Sequence, residues 1–395
     1  MISHARINEC AERFSEEVIR LRREFHQHPE LGFEEKRTAS VIAGYLTGLG
    51  IEVKTGIAGT GVVGLLRGSH SGRTVMLRAD MDALPIQELN EVDYRSIKAG
   101  IMHACGHDGH MAVLLVTARI LCAFRDELRG QVKFVFQPAE ENLGGARLMI
   151  EQGVLENPGV DAAFGMHLIS QLPHGHVASR KGPFMAAMDT FVIRVIGKGG
   201  HSAMPGGSVD AIGMSARVVT DLQDHIRKRL PPETPVIVNI GTIHGGAAHN
   251  IVADRVELSG TVRCLDDEVR SSIKPLMEEF LASITSPRGG GYELVYEPGY
   301  PLTVNDAAMT GLVLSIARSM LGDTHVIDMP FSLASEDMSF YLREVPGCFF
   351  FVGAGRADAA LNQPHHSPQF AIDERSLVVG LRMMTSIAVD YLGSA

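Results

Sequence analysis

Two adjacent acids, Glu140 and Glu141, end the run Phe134-Val135-Phe136-Gln137-Pro138-Ala139-Glu140-Glu141. Four other side chains of metal-binding type are scattered through the chain: Cys105, His107, His167 and His366. Thiolate, imidazole and carboxylate together suit zinc and tolerate manganese, cobalt or nickel. Cys105, His107, Glu141, His167 and His366 make a candidate set larger than a structural zinc site uses. The set fits two ions about 3.5–4 Å apart, with Cys105 as a bridge. A paired acid has a further use, because Glu141 can bind a metal while Glu140 moves protons. That is the equipment of a metal-dependent hydrolase.

Each component also has a bland reading. An acid pair ahead of Gly144-Gly145 and a helix can cap that helix. His167 alone reads as a core histidine, and His365-His366-Ser367-Pro368 as a surface turn. His110 reads as a first-turn helix residue and stays outside the ligand set. Cys105 also admits a cysteine hydrolase with its thiolate as nucleophile, and a ligand-binding protein with a vestigial centre is a further alternative. What favours the metal is position along the chain.

Apolar periodicity supplies the elements. Ile7, Cys10, Phe14, Val18, Leu21 and Phe25 recur every three or four residues and predict one helix ending near Pro29. Residues 74–77, 131–137 and 161–166 read as strands; 111–124 and 146–152 read as helices. The alternation predicts a largely parallel sheet covered on both faces, with ligands at the C-terminal ends of its strands. Asp80 and Asp82 follow the first strand, Glu140-Glu141 the second and His167 the third. Cys105 and His107 lie in the loop before the apolar helix. Asp80 and Asp82 are candidates to orient a metal-bound histidine.

Near Gly182-Pro183 the pattern changes. A strand at 188–196, a helix at 209–229, strands at 235–243 and 255–263, a helix at 267–284 and a strand at 292–297 follow. That is β-α-β-β-α-β, the split unit of ferredoxin-like domains. Residues 186–298 therefore read as an inserted α+β domain. Residues 1–185 and 299–395 form the metal-binding domain, where a helix at 307–321, a strand at 348–352 and a helix at 374–391 resume. The insert's glycine-rich loops at 197–205 and 245–250 carry His201 and Asn250. They read either as plain turns or, with Arg263, as substrate contacts. Arg263 suits a carboxylate, which its planar fork can grip bidentately.

Length and charge exclude other classes. A chain of 395 residues favours two domains. A net charge of −10 with no basic cluster argues against nucleic acid. No apolar run approaches the roughly 18 residues of a membrane helix, and residues 1–6 lack the apolar core of a signal peptide. The expectation is a cytoplasmic protein without a membrane partner, its five cysteines being thiols.

Several motifs, in order over nearly the whole length, resemble the metallopeptidase superfamily of carboxypeptidase G and the aminoacylases. Within it they resemble the subgroup of hippurate hydrolases, N-acetyl-amino-acid deacetylases and auxin-conjugate amidohydrolases. They are residues 21–31, residues 77–85, Cys105-Gly106-His107-Asp108-Gly109-His110, Glu140-Glu141, Gly165-Met166-His167, Gly199-Gly200-His201-Ser202-Ala203, Ala248-His249-Asn250, Ser335-Glu336-Asp337-Met338 and His365-His366-Ser367-Pro368. The resemblance implies an α/β, zinc-peptidase-like catalytic domain with a mixed sheet covered by helices, plus a lid that dimerises, giving a homodimer or homotetramer. It implies Cys105, His107, Glu141, His167 and His366 as ligands of two divalent ions per subunit (zinc, manganese, nickel or cobalt), with Glu140 as general base. It implies that Asp82 supports the base or a ligand, that His201 steadies the oxyanion across the dimer, and that Asn250 and Arg263 hold the substrate. Asp80 stands where many relatives of the wider superfamily have a ligand histidine, and Cys105 where many have a bridging aspartate. The implied reaction is hydrolysis of an N-acetyl- or N-benzoyl-type N-acyl amino acid. A dipeptidase or aminopeptidase on the same scaffold is the rival.

Overall fold

The computed structural model describes residues 2–141, 144–204 and 206–394. The N-terminal apolar repeat forms two helices, α1 (His4–Arg13) and α2 (Ser15–Gln27), where its spacing predicts one. The break falls at Phe14, whose backbone (φ −101°, ψ 13°) leaves the helical region. The apolar face continues across the break, with Ile7, Ala11, Val18, Leu21 and Phe25 all buried, so periodicity alone does not reveal it. Helix α3 (Lys36–Gly48) and strands β1 (Glu52–Ile57) and β2 (Gly61–Arg67) follow, in a stretch with no sequence prediction.

Next come β3 (His70–Asp80), α4 (His107–Ala123), β4 (Arg129–Gln137), α5 (Gly145–Glu151), β5 (Ala162–Pro173), β6 (Val177–Ser179) and β7 (Gly182–Met185). Then follow β8 (Ala187–Ile196), β9 (Gly200–His201), α6 (Ala211–Arg227), β10 (Val236–Gly245), β11 (Ile251–Val252), β12 (Arg255–Cys264), α7 (Asp267–Thr285) and β13 (Gly291–Pro298). The chain closes with β14 (Thr303–Asn305), α8 (Ala307–Leu321), β15 (Val326–Asp328), α9 (Met338–Glu344), β16 (Gly347–Gly355) and α10 (Ser376–Gly393).

The chain divides into two compact units. One comprises Met1–Gly182, Val304–Pro330 and Asp337–Ala395; the other comprises Pro183–Thr303 and Phe331–Glu336. The first holds an eight-stranded sheet in the order β1-β2-β4-β3-β5-β16-β6-β15. Its middle, β4-β3-β5-β16, is parallel. Strands β1 and β2 add antiparallel pairs at one side, and β6 runs antiparallel to β16. The sheet is therefore mixed, with a parallel centre. Every residue of β16 is buried, which requires cover on both faces.

Helix α10 departs from the sequence reading of apolar runs, because it is long and apolar enough to cross a membrane by length and composition. Yet 78% of it is buried inside the protein. Its charges lie at the surface, Arg382 with Glu12 and Asp390 with His4, as in the core helix of a globular unit.

The second unit has a four-stranded antiparallel sheet in the order β10-β12-β8-β13. Val256 lies opposite Val195 and Leu258 opposite Ile193, so one face is apolar. That face joins Met214, Val218 and Leu222 of α6 and Ile273 and Met277 of α7 in one core. Gly260 is needed there, since a Cβ would sit 2.4 Å from the Phe191 ring.

Candidate metal centre and active site

The parallel strands explain how distant residues meet. Strand β3 pairs with β4 up to Asp80 opposite Gln137, and with β5 up to Arg78 opposite Gly165. The chain leaves β3 and β4 at one edge, bringing Asp82 and the acid pair there. His167 is not beyond the end of its strand, as its position after Met166 predicts. It lies within β5, which runs on to Pro173 along β16. It still projects past the end of the β3 pairing, so it reaches the same edge. His107 likewise belongs to no loop: it opens α4, after Gly106 in the left-handed conformation (φ 93°).

Three groups of ligand atoms each lie within 4.8 Å of one another: Cys105 with His107 and His167, Cys105 with Glu141 and His366, and His107 with Glu140 and Glu141. Cys105, His107 and Glu141 each belong to two of them, so the three groups form one connected cluster. Its Sγ is 3.5 Å from His167 Nε2, and His366 Nε2 is 3.1 Å from Glu141 Oε1. His366 has a left-handed backbone (φ 64°), with its amide donating to Ala104 O at 2.8 Å. That strain ties the returning chain to the Cys105 loop.

Asp82 organises the acid pair. Its Oδ1 accepts from the Glu140 amide at 3.0 Å and its Oδ2 from the Glu141 amide at 2.9 Å. Its backbone carbonyl accepts from His107 Nδ1 at 2.8 Å. That leaves His107 Nε2 buried without a hydrogen-bond partner, as a metal ligand requires. Burial disfavours the His107 cation, but Asp80, Asp82 and Glu141 outweigh it and push its pKa up to about 10. Cys105 is held well above the ordinary thiol range by burial and then by Glu141 and Glu140. An excess of buried negative charge that retains protons on its own ligands fits a divalent cation, which would replace them.

Asp80 and His110 have other partners. Burial opposes the Asp80 anion, yet His107, His110 and Arg78 hold its pKa well below the usual range. Asp80 Oδ1 receives His110 Nδ1 at 2.6 Å, and His110 Nε2 accepts from the Leu168 amide at 2.9 Å. Both His110 nitrogens are thus occupied. Behind them, Arg78 bridges Asp80 and Asp337 at 2.6 and 2.7 Å. Arg22 and His26 reach Asp108, next to His107, at 2.7 and 2.8 Å. Removing one member of so buried an ion pair typically costs about 3–5 kcal/mol, so these contacts lock the start of α4.

His365 escaped the sequence reading. Its Nδ1 is 3.6 Å from Cys105 Sγ, and its ring centre is 5.1 Å from that of His167. Burial, then His110 and His366, lower its pKa to about 3, so it is neutral. Of the doublet His365-His366, the sequence reading takes only His366 as a candidate.

The second unit places His201 and Asn250 together. His201 lies opposite Ile251 in the β9–β11 ladder, and the Ser202 amide donates to Asn250 O at 3.1 Å. Both side chains are exposed. Arg263 is elsewhere. The β8–β12 ladder runs from Arg255 opposite Ile196, beside these loops, to Arg263 opposite Met188. Eight residues of strand span about 26 Å. Arg263 donates to Thr261 Oγ1 at 3.0 Å, and no ion pair to a carboxylate is seen for it among the described residues.

A mixed sheet with an acid pair, a thiol and imidazoles gathered at its edge is the equipment of a metal-dependent hydrolase. The chain matches the model of peptidase family M20/M25/M40 over residues 76–390, and it belongs to that family. It is 41% identical over 378 residues to thermostable carboxypeptidase 1 of Saccharolobus solfataricus, covering 95% of each chain. It is 44% identical over 290 residues to an N-acyl-L-amino acid amidohydrolase of Geobacillus stearothermophilus, covering 73% of this chain and 78% of the relative. Among solved structures, a Bacillus subtilis protein described as a dinuclear metal binding peptidase of the M20 family superimposes with a TM-score of 0.85. It is 33% identical and covers 97% of this chain and 100% of that one.

Proposed function

We propose that the protein hydrolyses the amide bond of N-acyl amino acids, of N-acetyl or N-benzoyl type, to a carboxylate and a free amino acid. The observation that carries this reading is the convergence of Cys105, His107, Glu141, His167 and His366, with Glu140 beside them on a backbone held by Asp82. The activity named for the Geobacillus relative supports the substrate class. Those five side chains would hold two divalent ions (zinc, manganese, nickel or cobalt). When bound, the ions acidify water and polarise the scissile carbonyl. Glu140 takes the proton of the attacking water and returns it to the leaving nitrogen. His201 donates to the carbonyl oxygen as it gains charge, Asn250 and Arg263 hold the substrate, and one of these two takes its α-carboxylate.

The separation of Arg263 from His201 and Asn250 supports a homodimer or homotetramer. One copy cannot bring both ends of β12 to one small substrate, so His201 of one copy serves the site of another. The same reading takes Met1–Gly182, Val304–Pro330 and Asp337–Ala395 as the catalytic domain and the inserted unit as lid and dimerisation domain, in a cytoplasmic enzyme. A panel of N-acetyl amino acids, N-benzoyl amino acids and unblocked dipeptides, with each metal added, tests the substrate class. Turnover is expected on the acylated compounds. Turnover confined to dipeptides would replace this reading with an aminopeptidase.

A further inference from the structure

Glu35, the residue before α3, has no exposed surface. Its Oε1 accepts from the Ala139 amide at 3.0 Å, and its Oε2 accepts from Thr60 Oγ1 at 2.5 Å. Ala139 directly precedes Glu140 and has φ 57°, the left-handed region that a residue with a Cβ occupies only under constraint. The next two amides, of Glu140 and Glu141, end on Asp82. Three successive N–H groups are therefore held by two buried carboxylates from distant parts of the chain. The other side of the turn is held as well: the Gly145 amide donates to Ala139 O at 3.1 Å, and a Cβ on Gly145 would lie 1.8 Å from Pro138 O.

A buried acid is a costly way to fill this space. Burial above all pushes the Glu35 pKa up to about 7, against the hydrogen bonds of Thr60 and Ala139. An apolar side chain of similar volume would spare the fold that cost, but it would leave the Ala139 amide without an acceptor.

We propose that Glu35 is a positioning residue for the reaction, fixing the left-handed turn at Ala139 and with it the direction in which Glu140 and Glu141 leave β4. Its role rests on the reading of Glu140 as base. Glu35→Met keeps the volume and removes the acceptor. Glu35→Gln keeps an oxygen for the Ala139 amide and an NH2 for Thr60 Oγ1. Steady-state kinetics on an N-acetyl amino acid and thermal midpoints are measured for both. For Glu35→Met, kcat is expected to fall about 100-fold, the scale of a 1 Å misplacement. KM should change by about twofold or less, and the thermal midpoint should fall by no more than a few degrees, since the orphaned Ala139 and Thr60 donors are offset by relief from burying an acid. For Glu35→Gln, kcat should stay within about threefold of the parent. Undiminished kcat in Glu35→Met overturns the proposal. So does a hundredfold loss in Glu35→Gln, whether or not the Met variant folds. Glu140→Gln run alongside separates the two readings. Full turnover there sinks the base assignment, whereas an inactive Glu140→Gln beside a fully active Glu35→Met sinks only the positioning role.

Discussion

Glu140→Gln is expected to lower kcat by about 10³-fold, within the range that general acid–base catalysis contributes, while metal content and KM stay near the parent values. The substitution is nearly isosteric. The amide of residue 140 keeps its bond to Asp82 because that bond is made by the backbone. The Asp337 amide, 3.4 Å from Glu140 Oε1, still finds an oxygen. What is lost is a group that can accept a proton. Glu141→Gln should behave differently, since Glu141 shares a ligand group with Cys105 and His366: metal per subunit should fall along with activity. Elemental analysis beside kinetics checks both. A Glu140→Gln protein that kept more than about a tenth of kcat would remove Glu140 from the base role.

Mixing two crippled variants is expected to restore activity. His201→Ala lacks the donor and Glu140→Gln lacks the base. If His201 acts across a symmetric dimer, the Glu140→Gln subunit lends its His201 to the intact Glu140 of its partner. Random exchange makes half the dimers mixed, each with one complete site, so co-expression should return about a quarter of wild-type kcat. No recovery, from material shown to contain mixed dimers, would put His201 and Glu140 of the same copy in one site. The test follows from the register of β12, which sets Arg263 and the His201 loop at opposite ends of a sheet.

The parts of the fold legible in the sequence are those where apolar runs meet turns. Strands β3, β4 and β5 and helices α4, α6 and α7 each announce themselves through continuous or periodic apolar residues. The polar residues that interrupt those runs, Asp82, Cys105, Glu140 and Glu141, mark the edge where the site lies. Less was legible where local signals are silent. The break at Phe14 leaves the apolar period intact. His365 is the neighbour of His366 and of the same type, and its place beside Cys105 and His167 is set by the fold alone. Glu35 is one of two acids in Glu34-Glu35, and nothing local distinguishes it; its meaning lies in an amide 104 residues away. The distance between Arg263 and His201 is a matter of strand register, which motif order does not contain.

The most direct measurement is a metal titration. The protein is stripped with a chelator, then titrated separately with zinc, manganese, cobalt and nickel, and release of free amino acid from N-acetyl and N-benzoyl substrates is followed. The prediction is no turnover in the stripped protein, with activity returning as ions are added and levelling at about two per subunit. Undiminished turnover in fully stripped protein would contradict it and would point instead to Cys105 as a nucleophile.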